Sequence, residues 1–160
     1  MKDFIIGAIS DTHDHLTNVA KAIDVFRQNH ADMVIHCGDY VAPFTLQTFK
    51  DLSVPLVGVI GNCDGEIDLL LKTAHGLNFS LYYPPHTLLI NNRKIIITHK
   101  PITLNEPYAI YLYGHTHRAE VTYKDNTLIV NPGEACGWLF GKPTIALLNL
   151  DKIQAEIIDL

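Results

Sequence analysis

The stretch Phe4-Ile5-Ile6-Gly7-Ala8-Ile9-Ser10-Asp11-Thr12-His13-Asp14-His15 opens on six almost wholly apolar residues and ends in a polar loop. A short run of this kind is what a strand buried on both faces requires. Beyond it Leu16, Val19, Ile23 and Phe26 recur at spacings of three and four, the stripe of an amphipathic helix. Thr17 or Asn18 is the expected N-cap. Strand, polar loop and helix in that order read as the start of a parallel sheet with helical crossovers. In such sheets, ligand-binding groups collect at the carboxyl ends of the strands.

The pattern repeats twice. Met33-Val34-Ile35-His36 is a second strand, followed by Cys37-Gly38-Asp39 and a helix over Ala42 to Lys50, with Pro43 in its first turn. Leu56 to Ile60 is a third strand, followed by Gly61-Asn62-Cys63-Asp64 and a helix from Glu66 to His75, with Gly76 as its stop. The second half changes character. Asn91-Asn92, Asp125-Asn126 and Asp151-Lys152 each sit between two strand-like runs and read as hairpin turns. Between the first two hairpins, Ala109 to Tyr113 is a strand that runs into Gly114-His115-Thr116-His117. A parallel half thus meets a hairpin-rich half, predicting an α/β fold of two sheets packed face to face with helices outside. One domain is expected over residues 1–160.

Composition narrows the function. Hydrophobic residues make up 48% and charged residues 18%, with a formal net charge of −5. The twelve basic residues are scattered, which argues against stable nucleic-acid binding through many phosphate contacts. Three dispersed cysteines form no disulfide framework. No apolar run approaches the roughly 18 residues of a membrane span, and no signal peptide is evident. A cytoplasmic protein without membrane contact is the expectation.

Nine histidines are many for 160 residues. His30, His75 and His86 read as surface residues, and His36, inside a strand, reads as structural. Asp11, His13, Asp39, Asn62, His99, His115 and His117 all follow strands. Alone, each stretch is ordinary turn chemistry; together they form a mixed nitrogen and oxygen donor set. Such a set suits Mn, Ni, Zn or Fe better than a purely hard Mg or Ca cage. In Asp11-x-His13 and His115-x-His117, an extended backbone would point both side chains to one side. Two ions about 3.5–4 Å apart need a shared carboxylate, and Asp39 is the candidate bridge.

Asp11-x-His13, Gly38-Asp39, Gly61-Asn62-x-Asp64, His99 and Gly114-His115-x-His117 resemble the motif series of calcineurin-like metallophosphoesterases. The length and Asn131-Pro132-Gly133 are similar to the small single-domain phosphodiesterases of bacteria and archaea, a branch shared with the retromer-subunit scaffold. The resemblance implies a four-layer α/β/β/α sandwich of two mixed sheets with flanking helices. It also implies a metal-dependent phosphoesterase, and above all a phosphodiesterase, in which two divalent metal ions activate water for in-line attack. Asp11, His13 and His117 would bind the first ion, Asn62, His99 and His115 the second, and Asp39 both. Asp39, Asn62 and His99 form the expected catalytic set. Manganese is the expected metal, with Ni, Zn, Fe or Mg as alternatives; the substrate is a small phosphoester, and a homodimer is plausible from the family. The alternative is a non-catalytic metal-binding interaction scaffold of the retromer-subunit type.

Two departures stand out. Larger relatives place a general-acid histidine after the motif asparagine, where this chain has Cys63, a poor proton donor at an unperturbed pKa near 8.5. Good leaving groups, such as aryl phosphodiesters, should therefore be preferred over alkyl monoesters. His99 is followed by Lys100-Pro101 in a connection to Tyr108 too short for a full helix. Lys100 is either a solvated lysine or an added positive charge near the phosphate. Asp64 reads as the cap of the following helix, Asp14 and His15 as a loop rim. Trp138, Phe140 and Tyr108 read as packing residues, with a pocket or dimer surface as the alternative; Cys136 has no motif context.

Overall fold

Strand β1 (Ile5–Ile9) lies at the centre of the molecule because its alternate residues have separate covered faces to enter. Ile6 and Ala8 point into the space between two sheets, while Ile9 packs against helices. The computed structural model describes residues 2–160. The parallel half continues with α1 (Leu16–Gln28), β2 (Met33–His36), α2 (Phe44–Thr48), a 3₁₀ turn (Phe49–Asp51), β3 (Leu56–Val59), α3 (Ile67–Gly76) and β4 (Ser80–Tyr82). Strands β1 to β4 pair in parallel in sequence order.

The second half contributes β5 (His86–Ile90), β6 (Arg93–Ile97), β7 (Ile110–Leu112), β8 (Glu120–Lys124), β9 (Thr127–Asn131), β10 (Thr144–Asn149) and β11 (Gln154–Asp159). The last hairpin returns to the first sheet, where β10 runs antiparallel to β1. The six-stranded sheet has the order β11-β10-β1-β2-β3-β4, and the five-stranded sheet β5-β6-β7-β9-β8. Both are mixed, as expected. Their facing sides enclose a core that includes Ile6, Ile35, Val59, Ile97, Leu112 and Val130.

The α helices pack with Val19, Ile23, Phe26, Leu46 and Leu70 on the outer face of the first sheet. Burying such a side chain stabilises the fold by roughly 1.5–3 kcal/mol relative to exposure. The outer face of the second sheet carries Ile96, Tyr111 and Tyr113, with Leu104 and Tyr108 packed against them from the connection after β6. That segment, with its prolines, is irregular rather than helical. It is pinned where the Ile102 amide donates to the Tyr111 hydroxyl at 2.8 Å. The fourth layer is therefore a loop on this side.

Several boundaries differ from the sequence reading. His15 caps α1, its Nδ1 accepting the Asn18 amide at 3.3 Å, so neither Thr17 nor Asn18 is the cap. Gly76 is still helical, and the left-handed residue that ends the chain's turn is Asn78 at φ +58°. Strand β4 was not expected: its three residues form too short a run to show a period, and pairing with β3 creates it. The Asn91-Asn92 and Asp125-Asn126 turns have positive φ at both residues, as type I′ turns demand. The β10–β11 connection is longer than Asp151-Lys152 and ends with Ile153 at φ +51°.

Candidate metal centre

The loops after β1, β2, β3, β6 and β7 converge at one end of the two sheets. Asp11, His13, Asp39, His115 and His117 all take left-handed backbone conformations, with φ between +39° and +65°. Side chains with a Cβ adopt that region rarely, and such strain gathers at functional sites where surrounding structure holds it. The two x-separated pairs thus meet through left-handed turns and not through the extended backbone the spacing suggested. The turns are closed by short backbone links between loops: the Asp11 amide donates to the Gly38 carbonyl at 3.0 Å, and the His13 amide to the Asp39 carbonyl at 3.1 Å.

Close approach explains two glycines. A Cβ on Gly61 would lie 2.1 Å from Asp39 Oδ1, and one on Gly114 would lie 2.0 Å from Ser10 Oγ and 2.8 Å from Asp11 Oδ2. Any larger residue at either place would displace a carboxylate.

Asp11 is fully buried. Its Oδ2 accepts from the Ser10 hydroxyl at 2.6 Å and from the His115 amide at 3.1 Å. Among the described residues its Oδ1 has no hydrogen-bond partner, and neither does His13 Nε2. Around these two atoms lie His117 Nε2, 3.3 Å from Asp11 Oδ1, and Asp39 Oδ2, 3.4 Å from His13 Nε2. Asp39 Oδ2 is also 3.3 Å from His99 Nε2, while its Oδ1 accepts the Cys63 amide at 2.8 Å. Burial works against ionisation of Asp39. The protonated His99 ring, a form that Asp39 itself favours, and the Cys63 amide outweigh it and hold the carboxyl well below the ordinary carboxylate range.

The imidazoles are oriented by what their far nitrogens touch. His99 Nδ1 lies 2.8 Å from the Cys37 carbonyl, which can only accept, so Nδ1 carries a proton. In the neutral ring Nε2 then offers a lone pair toward Asn62 Oδ1 at 2.9 Å and Asp39 Oδ2. His117 repeats the arrangement, its Nδ1 donating to Glu134 Oε2 at 2.8 Å. Lone pairs facing oxygens repel unless a proton or a metal cation stands between them. The donor atoms of Asp11, His13 and His117 lie within 4.8 Å of one another, as do those of Asp11, Asp39 and His99. Unpartnered Asp11 Oδ1 and His13 Nε2, with imidazoles held from behind, fit divalent cations. His115 joins the cluster by packing its ring against His99 with centroids 5.2 Å apart. Burial above all, with Lys100 and the protonated form of His99 adding to it, lowers its pKa below the ordinary imidazole value and favours the neutral form.

Glu134 was missed in the sequence. It accepts the amides of Leu139 at 3.0 Å and Phe140 at 2.6 Å besides the His117 ring. Burial raises its pKa, but the Phe140 amide, His117 and the Leu139 amide lower it further, so it stands ionised. Its only signal was an acidic residue directly after Asn131-Pro132-Gly133. Asn131 fixes the His turn, donating to the Gly114 carbonyl at 3.0 Å and to Thr116 Oγ1 at 2.9 Å. Asp64 does not cap α3: it accepts the amides of Gly61, Val41 and Asp39, clamping two site loops together. Asp14 likewise is a bracket and not a rim residue, binding the Ala42 amide and the Thr45 hydroxyl. His36 is structural: its Nδ1 accepts the Gly38 amide at 3.1 Å and its Nε2 lies 3.1 Å from the Thr12 hydroxyl.

The profile of the calcineurin-like phosphoesterase superfamily domain matches residues 4–153. The chain belongs to this family. Phosphodiesterase MJ0936 of Methanocaldococcus jannaschii is 37% identical, over 97% of this chain and 98% of that protein. Phosphodiesterase YfcE of Escherichia coli is 24% identical over 78% of this chain and 75% of its own length. A solved archaeal phosphodiesterase superposes with a TM-score of 0.88 at 35% identity, covering 98% of this chain and 100% of that one. Vps29 of Entamoeba histolytica complexed with zinc superposes at 0.67 and 17% identity, covering 98% and 99% of the two chains, and shares the fold alone. Membership in the metallophosphoesterases implies divalent metal ions and hydrolysis of phosphoesters. Among the described residues no helix is long and apolar enough to cross a membrane.

Proposed function

We propose that this chain is a phosphodiesterase with a dinuclear metal centre. Asp11, His13 and His117 would hold one ion, Asn62, His99 and His115 the other, and Asp39 both. The observation that carries the reading is the pair of unpartnered buried atoms, Asp11 Oδ1 and His13 Nε2, ringed by imidazoles whose far nitrogens are already committed as donors. Bound divalent ions supply Lewis acidity toward the phosphoryl oxygens and an activated water for in-line displacement. Asp39 stays ionised through the neutral range and so offers both donor sets a full negative charge. The Cys37 carbonyl and Glu134 keep His99 and His117 in the tautomer with Nε2 free. Cys63 is a weak proton donor, because burial and the Asp39 carboxylate push its thiol up to about 11. Protonation of a poor leaving group is therefore not provided for, and aryl diesters are the preferred substrates. Manganese as the metal, a single domain over the whole chain, a homodimer and a place in the cytoplasm complete the proposal.

The test is a panel of phosphomonoesters and diesters offered to chelator-stripped protein with Mn, Ni, Zn or Mg restored. Turnover of aryl diesters above alkyl monoesters is expected, and silence with every metal would remove the hydrolase reading. His115→Ala and His117→Ala should each leave about one ion per chain, at different places in metal-bound crystal structures. Loss of the same ion in both would leave the turn as a clamp on one metal.

A further inference from the structure

Trp138, Leu139 and Phe140 stand side by side with relative exposures of 63%, 67% and 51%. Contiguous exposed apolar surface marks a binding site more often than chance, whereas scattered single residues do not. The loop that carries them is bounded by Gly137 and Gly141, both at φ +68°. It is anchored to the metal centre through Glu134, whose carboxylate accepts the Leu139 and Phe140 amides and the His117 ring together.

The aromatic rings border the site itself. The Trp138 ring centroid lies 6.1 Å from that of His13 and 6.1 Å from that of His15. The Phe140 ring carries the Arg118 guanidinium 4.9 Å above its face, and Arg118 directly follows His117. The polar groups of the centre can read a phosphoryl group, which every phosphoester shares. A diester brings two ester groups, of which only one leaves; the other has to be accommodated beside the centre. What the protein offers next to His13 is an aromatic rim with one cation at its edge. Flat rings recognise flat rings through stacking, with little demand for particular hydrogen-bonding groups.

We propose that the Trp138–Phe140 loop is the specificity element of this site, binding a flat aromatic group on the ester that does not leave. The inference rests on the phosphodiesterase reading and deepens it. The ring could be a simple aryl group or a nucleobase, which present the same face.

Three diesters with the same single p-nitrophenyl leaving group separate these sources from leaving-group chemistry: p-nitrophenyl methyl phosphate, p-nitrophenyl phenyl phosphate and the p-nitrophenyl ester of thymidine 5′-phosphate. The wild-type protein should prefer an aromatic diester over the methyl diester by about 5- to 10-fold in kcat/KM, mainly through KM. The diester with the larger preference identifies the ring. That ratio should fall toward one in Trp138→Ala and Phe140→Ala and be largely kept in Trp138→Phe. A second readout does not need turnover. Trp138 is the only tryptophan, so the emission of zinc-loaded protein should shift on titration with diphenyl phosphate and not with dimethyl phosphate.

No aromatic preference in the wild type, or a ratio unchanged by Trp138→Ala, overturns the proposal. So does an unmoved emission, or a dimer that dissociates on Trp138→Ala while the ratio stays intact. Failure of all three diesters with every metal would instead sink the hydrolase reading, and the emission titration would still decide whether the rim binds aromatic groups.

Discussion

The two sheets bring different chemistry to the centre and hold it by different means. The first sheet supplies Asp11, Asp39, Asn62 and one imidazole, His13; the second supplies only imidazoles, His99, His115 and His117. First-sheet loops are braced by backbone, amide to carbonyl, between the Asp11–Asp14 and Gly38–Tyr40 segments. Two of the three second-sheet imidazoles are held from behind: His99 by the Cys37 carbonyl and His117 by Glu134. A carboxylate accepts at either oxygen, so a rigid backbone is enough to place it. An imidazole must also have its tautomer chosen, which requires a partner on its far nitrogen. Because Cys37 belongs to the first sheet and His99 to the second, that choice is completed only when the sheets pack.

The largest effect should follow from removing first-sheet charge. Asp39→Asn, which keeps the shape and deletes the carboxylate facing both donor sets, should lower aryl diester hydrolysis at least about 1000-fold, or about 4 kcal/mol. Steady-state kinetics with metal in excess measures it, and near-normal turnover would break the assignment of Asp39 as the shared ligand. Glu134→Gln probes the second sheet's way of holding its imidazoles. It should weaken metal affinity about 10–100-fold, read by competition with a chelator, while leaving His117 in place. An unchanged affinity would mean that tautomer control at His117 is dispensable and would erase the contrast between the sheets.

The smallest effect concerns stability of the braced first-sheet loops. Burial holds His36 well below the ordinary imidazole value, and both its nitrogens are engaged in the neutral form. As pH falls below about 6.5 the unfolded chain takes up the proton first, so the unfolded state binds more protons. The stability contributed by neutral His36 is complete above that pH. Below it, the contribution is lost at up to about 1.4 kcal/mol per pH unit. Urea unfolding of chelated protein at pH 7.5 and pH 5 should show this slope, and His36→Gln should flatten it. Equal slopes would place the pH sensitivity elsewhere.

Local pattern carried much of this molecule. The apolar run of Phe4 to Ile9, the stripe from Leu16 to Phe26 and the paired turn residues Asn91-Asn92 and Asp125-Asn126 announce their structures through neighbours a few residues away. The donor types were legible for the same reason, since each motif residue sits where an apolar run ends. Glu134 was not legible, because one acidic residue in a loop has no period and its partner His117 lies seventeen positions back. Asp64 was misread as a helix cap because its local setting suits a cap, while the amides it binds belong partly to a loop twenty-five residues earlier.

The sequence by itself determined the order of strands and helices and the chemical character of the donors, because periodicity and side-chain type are local properties. Tertiary structure alone decided the left-handed turns at Asp11, His13, Asp39, His115 and His117, strand β4, the pinning of the Ile102 segment to Tyr111, and the tautomers of His99 and His117. Each of these depends on a partner brought from a distant part of the chain, and a strained or buried polar group is stable only once that partner has arrived.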